Sequence, residues 1–158
     1  VPDESRDHHD SVGAWAKQYY FASRALMEAT LREHDLGPTQ WYVLHTLFTN
    51  GPTMQRDLSQ SLKIERATLS GVVQTLVRKG LVAQVADSAD QRQRILSITD
   101  AGRSLWERLP DPTEIALAVS FEGADEADLA VARRVLQTAT ERLTAHLAGG
   151  AAAAAASS

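Results

Sequence analysis

The stretch from Ile64 to Thr99, IERATLSGVVQTLVRKGLVAQVADSADQRQRILSIT, constrains the fold more than any other part of the chain. Leu69, Val72, Val73 and Leu76 recur at helical spacing and make one apolar stripe. Arg66, Ser70 and Gln74 share the opposite face at i, i+4, i+8, flanked by Thr68, Gly71, Thr75 and Arg78. Gly80 suits the position just past a helix end. The period then changes to two. Leu81, Val82 and Val85 read as one short strand and Ile95, Leu96 and Ile98 as a second, with a turn at Ser88-Ala89-Asp90.

The wet face of this helix is unusual. An ordinary surface helix carries Glu and Lys there, whereas no acid occurs between Arg66 and Arg78. Short hydroxyl and amide side chains with flanking arginines allow a helix to sink into a DNA major groove and reach base edges. In the hairpin, Asp90 and Arg92 stand two apart, so on a strand-like arm they point the same way and can pair. An arginine held at a hairpin tip suits the narrow, electronegative minor groove. A solvated turn with an incidental ion pair, worth little, would look the same in isolation.

The upstream segments supply the context. Thr53 is placed to cap a short helix over about 54–61 with Leu58 and Leu62 inward, and a turn at Lys63–Glu65 leads into the polar-faced helix. Two helices joined by about three residues form a helix-turn-helix, and the hairpin that follows becomes a wing. Before them, Asp10 or Ser11 can cap a long helix reaching about His34, with Val12, Trp15, Ala16, Tyr19, Ala22 and Leu26 on one face. Gly37-Pro38 starts another helix, with Trp41, Leu44, Leu47 and Phe48 inward and an end near Asn50-Gly51-Pro52. Downstream, Thr99 caps a helix with Leu105, Trp106 and Leu109, interrupted by Pro110-Asp111-Pro112, and a helical piece over 113–121 stops at Gly123. From Asp125 a last helix carries Leu129, Leu136 and Leu143 every seven residues, a narrow seam suited to helix–helix pairing.

Charge distribution supports a local nucleic-acid surface. The chain has net charge −4. From Leu62 to Ile98, however, six basic residues (Lys63, Arg66, Arg78, Lys79, Arg92, Arg94) outnumber three acids (Glu65, Asp87, Asp90), a balance of +3. The rest of the chain is therefore −7, which discourages unspecific contact with DNA. Zero cysteines excludes disulfides and thiolate metal sites within this sequence. No H-x-x-x-H, G-x-S-x-G or phosphate-binding loop is present, so neither a metal, a cofactor nor an enzymatic activity is expected. His8-His9-Asp10 is read as part of a mobile tail. The polar opening VPDESRDHHD is unlike a secretory leader, and no apolar run of about 18 residues suggests a membrane span, so a cytoplasmic protein is expected.

Asp90-Gln91-Arg92 followed by Leu96-Ser97-Ile98-Thr99 resembles the D-x-R-x-x-x-L-x-L-T wing signature of the MarR family of bacterial transcriptional regulators. Leu76-Val77-Arg78-Lys79-Gly80-Leu81-Val82 resembles the L-x-x-K-G-L-V run that precedes it in that family, and the order of helices extends the likeness over about residues 11–147. The implied fold is mainly α with a small β-hairpin wing: a winged helix-turn-helix lobe plus helical dimerisation arms. The lobe would cover about 37–99 and the arms about 11–34 and 100–147, between a tail at 1–10 and a low-complexity tail at 148–158.

The resemblance further implies a homodimer on a pseudo-palindromic operator in double-stranded DNA, acting as a repressor. It assigns major-groove reading to Arg66, Thr68, Ser70 and Gln74, with Arg78 and Arg94 alongside, and minor-groove insertion to Arg92 braced by Asp90. It also implies a pocket for a small aromatic or phenolic effector, with Trp15, Tyr19, Tyr20, Trp41, Tyr42 and His45 as candidate lining and Arg24 as counter-charge. The same aromatics sit at helical core spacing, where packing alone would place them. Three features depart from the family pattern: Gly71, where a larger, often basic residue is common, Glu65, where a Ser cap is usual, and the Pro110–Pro112 break in a helix that is often long. A winged-helix dimer serving as a protein-interaction module, without specific DNA binding, is the alternative.

Overall fold

A computed structural model describes residues 10–156 and divides into two compact units, one up to Leu117 and one from Ala118. In the first unit α1 (Val12–Arg32) begins at Ser11, whose Oγ accepts the Ala14 N–H at 3.1 Å. Its N-terminal half is largely exposed, and only Met27 and Leu31 near its end are buried. Helix α2 (Pro38–Asn50) starts with proline at its first position, where the missing N–H costs nothing, and buries Trp41, Val43, Leu44 and Leu47.

The chain then forms a two-residue strand, β1 (Thr53–Met54), where a helix start was expected. Thr53 therefore caps nothing; its hydroxyl donates to the Gly51 carbonyl at 3.0 Å. Pairing of Thr53 and Met54 with Leu96 and Ile95 outweighs the capping preference, and α3 (Gln55–Leu62) begins without a side-chain cap. Its end is a tight joint. Lys63 adopts the left-handed conformation at φ 53°, and Ser59, itself buried, donates to the Ile64 carbonyl at 2.6 Å. The Ile64 N–H returns to the Ser59 carbonyl at 3.0 Å, so side chain and backbone close the turn together.

Helix α4 (Arg66–Arg78) buries Leu69, Val73 and Leu76, with Val72 packed at the edge. Glu65 at its N-cap makes no side-chain cap. Its C-terminus is fully serviced. Gly80 sits at φ 73°, its N–H reaches the Val77 carbonyl at 2.9 Å, and the Leu81 N–H reaches Leu76 at 3.0 Å. That pair of bonds is the Schellman arrangement that a glycine at this position permits.

Strands β2 (Val82–Ala86) and β3 (Arg94–Ile98) pair antiparallel, from Val82 with Ile98 to Ala86 with Arg94. The sheet has three strands in the order β1-β3-β2, one more than the expected hairpin. Leu96 on the central strand is fully buried and joins Leu44, Leu47, Leu58, Leu69 and Leu76 in one core. Each such leucine contributes about 1.5–3 kcal/mol by leaving water, so helix-turn-helix and wing share one source of stability.

Thr99 caps α5 (Asp100–Trp106), its Oγ1 accepting the Gly102 N–H at 3.0 Å while donating to the Gly80 carbonyl at 2.6 Å. Leu109 lies outside this helix, in turns that precede Pro110, which has no N–H to continue it. Helix α6 (Pro112–Ser120) follows and ends before Gly123, at φ 75°.

In the second unit α7 (Glu126–Ala156) starts at Asp125, whose carboxylate accepts the Ala127 N–H at 2.7 Å. It runs on through Gly149 and Gly150, so the expected low-complexity tail is helical as far as Ala156. Val131, Val135, Leu136, Leu143 and Leu147 are all exposed along it. His8 and His9 and most of the expected N-terminal tail lie outside the described residues.

Candidate nucleic-acid interface

Helix α4 and the wing enclose an open cleft of about 640 Å³. Arg66, Ser70 and Gln74 line it from the helix, as their shared face predicts, and Arg92 and Arg94 from the wing. Arg56 on α3 adds a further guanidinium, and no acid lines the cleft. Four arginines without a lining carboxylate make this a site for polyanion backbone. One of them is partly compensated, since Arg56 pairs with Asp57 at 3.3 Å.

Other sequence-assigned residues stand apart from the cleft lining. Thr68 is exposed on α4, and the Arg78 guanidinium donates to Thr75 Oγ1 at 3.1 Å, which fixes it along the end of the helix. Asp90 differs from expectation in its partner. Its Oδ1 accepts the backbone N–H of Arg92 at 3.0 Å, a turn-type bond, and the two side chains form no ion pair. The aspartate thus shapes the backbone on which Arg92 stands. Arg94 secures the same tip by donating to the Gln91 carbonyl at 2.8 Å. Arg92 is exposed, and its guanidinium has no hydrogen bond or ion pair among the described residues.

Three glutamines in the cleft carry no mark in the sequence. The Gln84 side-chain amide on β2 donates to Gln55 Oε1 at 2.7 Å, and Gln55 Nε2 donates to Ser70 Oγ at 3.1 Å. This chain of bonds ties wing strand, α3 start and α4 together. Gln93 lines the wing side. Glutamines in mixed polar surroundings carry no spacing signal that would have marked them.

The aromatic candidates fall into separate places. Trp41 is buried and stacks on His45, with ring centroids 5.2 Å apart and planes within 16°. Trp106, unassigned from the sequence, meets Trp41 at 5.3 Å and His45 at 5.6 Å. Tyr42 packs edge-on against Trp41 and donates to the Met27 sulfur at 3.7 Å. Burial raises the Tyr42 hydroxyl pKa, reinforced by Tyr20 and opposed by Arg24. Burial also pushes Asp111 upward. Hydrogen bonds from the Thr113 hydroxyl and the Glu114 and Thr113 N–H groups, with nearby His45, outweigh it and hold the carboxyl below its ordinary range. Arg24 pairs with Glu28 at 3.6 Å. Trp15 is 61% exposed, its indole N–H donating to Asp10 at 2.9 Å, and Tyr19 is half-exposed on α1. The Trp41 indole N–H is buried without an acceptor among the described residues. An orphaned donor of this kind costs about 1–3 kcal/mol until something accepts from it.

Among the described residues no group of three His, Cys, Asp or Glu could hold a metal, and no helix is long and apolar enough to cross a membrane.

Comparison with known proteins accords with this geometry. Residues 34–93, from the end of α1 into the wing, match the family model described as the MarR family. The transcriptional regulator FarR of Neisseria gonorrhoeae is 27% identical over 114 residues, covering 72% of this chain and 77% of that protein. The homoprotocatechuate degradative operon repressor of Escherichia coli is 29% identical over 109 residues, covering 68% and 73%. Among solved structures, BpsR of Bordetella bronchiseptica, described in terms of regulation of its DNA binding by 6-hydroxynicotinic acid, superimposes with a TM-score of 0.74. It is 26% identical, with 84% of this chain and 95% of that one covered. Helix order, Asp90–Arg92 wing, family-model match and superposition agree in likening this chain to the MarR family of winged helix-turn-helix transcriptional regulators.

Proposed function

We propose that this protein is a homodimeric, cytoplasmic, sequence-specific DNA-binding repressor, released from its operator by a small aromatic or phenolic acid, and that it catalyses no reaction. The observation that carries the reading is the arginine-lined, acid-free cleft between α4 and the wing. Arg66, Thr68, Ser70 and Gln74 face the major groove, and Arg78 and Arg94 flank it. Arg92, exposed at the tip on a turn shaped by Asp90, enters the minor groove, where a narrow groove concentrates negative potential. The similarity to FarR, to the E. coli repressor and to BpsR supports a regulator over a protein-interaction module.

Dimerisation through residues about 11–34 and 100–147 is supported by the apolar surface that each unit leaves in water. Trp15, Tyr20 and Phe21 are more than half exposed on α1, as are Leu143 and Leu147 on α7. A second copy covers such faces, and two-fold symmetry then sets two half-sites about one helical turn apart. The effector site centres on Trp41 and His45, with Arg24 as counter-charge, and Trp15 and Tyr19, exposed on α1, are the further lining that the family resemblance assigns. The orphaned Trp41 N–H is the donor that a carboxylate or phenolic oxygen would satisfy.

Titrating duplex binding against salt tests the reading. Three to four phosphate contacts per protomer give a slope of log affinity on log salt of about −5 to −7. A slope near zero, or equal affinity for selected and scrambled duplexes, overturns it. The effector part fails if no aromatic acid in a screen lowers operator affinity.

A further inference from the structure

The strongest signal outside the sequence-derived assignments is the bond chain from Gln84 through Gln55 to Ser70. Gln55 is the first residue of α3, placed there by the β1–β3 pairing of Thr53 and Met54. Its amide therefore stands on a braced backbone, half-buried between the recognition helix and the wing strand. Gln84 lies opposite Leu96 in the sheet register, the residue that pairs with Thr53 on the other side. One rung of the three-stranded sheet thus holds both Gln84 and the entry to Gln55.

The chain of bonds has a polarity. Gln84 donates to Gln55, and Gln55 donates to Ser70. Gln55 occupies one of the two lone pairs of Ser70 Oγ, which biases its hydroxyl hydrogen toward an outside acceptor. The electrostatics of the cleft favour this direction. Its open end is the Gln84 carbonyl oxygen, in a cleft shared with Arg92 and Arg94, where reversed amides would present an NH2 group to cations.

We propose that Gln55 is a positioning residue for base reading: with Gln84 it holds Ser70 as a hydrogen-bond donor, so Ser70 reads a base acceptor in the major groove. The inference rests on the DNA-binding reading above and adds a reason for Ser70 to discriminate. A free serine hydroxyl rotates and serves donors and acceptors alike, whereas one accepting from Gln55 has one lone pair fewer to offer and favours a purine N7, guanine O6 or thymine O4 over the amino groups of adenine and cytosine. It also makes the wing strand and the reading helix one unit at this point.

The test is selection from random duplexes with the wild-type chain and the Ser70→Ala, Gln55→Leu and Gln84→Leu variants, with salt titration on the wild-type site. Gln84 is exposed, so its variant keeps the test open if Gln55→Leu folds poorly. Expected is loss of preference at the same base-pair position of each half-site in all three. The affinity loss should be about 5- to 150-fold, with an unchanged salt slope and no further loss when Gln55→Leu is added to Ser70→Ala. Retention of the wild-type base profile by both Gln variants overturns the proposal. So does a uniform weakening across all sequences with no change in base preference, which would make Gln55 a backbone contact. If the wild type itself enriches no sequence, the DNA-binding reading fails along with it, an outcome distinct from the other two.

Discussion

Replacing Gly102 by alanine tests the packing of the wing root, because two effects of opposite sign compete there. Gly102 lies in the first turn of α5, where alanine would by propensity alone stabilise the helix by about 1 kcal/mol. A Cβ at this position, however, would stand 2.2 Å from the Leu81 carbonyl oxygen and 2.8 Å from Ile98 Cγ1. The Leu81 carbonyl is backbone and already accepts the Thr99 N–H at 3.1 Å, so relief requires moving the strand end or the helix start. Overpacking of this kind costs about 1–3 kcal/mol, and weakening the Thr99 bond adds about 1 kcal/mol. Net destabilisation is then about 1–3 kcal/mol, a fall in Tm of about 2–12 °C for a chain of this size. Gly71→Ala is the control. It lies in α4, where an added Cβ would meet nothing within 4 Å, so the same change there should raise stability by up to about 1 kcal/mol. Thermal unfolding followed by circular dichroism reads both. A Gly102→Ala protein as stable as wild type would refute the close-approach argument.

Three further outcomes follow from the site and its supports. Arg92→Ala should leave Tm unchanged and weaken operator binding at least ~10-fold, with a salt slope shallower by about 2 per dimer; unchanged affinity in an anisotropy titration would remove Arg92 from the interface. Leu136→Asp on the exposed stripe of α7 should give monomers in sedimentation velocity, and a persistent dimer would exclude that stripe from the interface. For Asp111, whose folded pKa lies below the ordinary 3.8, the stabilising contribution is present above 3.8 and lost as pH falls through the lower folded value. Asp111→Asn should therefore narrow the stability gap between neutral and acid pH in urea titrations, and an unchanged gap would contradict the assigned hydrogen bonds.

What the sequence discloses and what it hides divide by range. The Ser11 and Thr99 caps, the Gly80 terminus and the buried Leu69–Val73–Leu76 stripe depend on neighbours within one or two turns, and all are legible from spacing. Strand β1 is hidden because two residues carry no period and their partners lie on β3, after the whole helix-turn-helix. Trp106 is readable as apolar but not as the partner of Trp41 and His45, since that stack depends on how α5 folds back on α2. Asp90 shows the subtler failure. Its proximity to Arg92 is legible, but a carboxylate near a backbone N–H and a side chain at once takes the N–H, which is already fixed by the turn and loses no side-chain entropy.

Helix α5 links the two sites that the proposed regulator must couple. It starts at Thr99, whose hydroxyl joins the Gly80 carbonyl to the Gly102 N–H, and ends at Trp106 in the aromatic stack. Seven residues of α-helix span about 10 Å, so the wing root and the stack are the two ends of one short rigid element. A ligand at Trp41 influences the wing only to the extent that it binds differently to two positions of that element. Tenfold release from DNA needs a difference of about 1.4 kcal/mol. That is within the roughly 1–3 kcal/mol that satisfying the orphaned Trp41 N–H makes available, and of the same size as the cost of disturbing the Gly102 contact. A single new hydrogen bond in the stack therefore suffices in magnitude to shift the wing, provided it forms in only one position of α5.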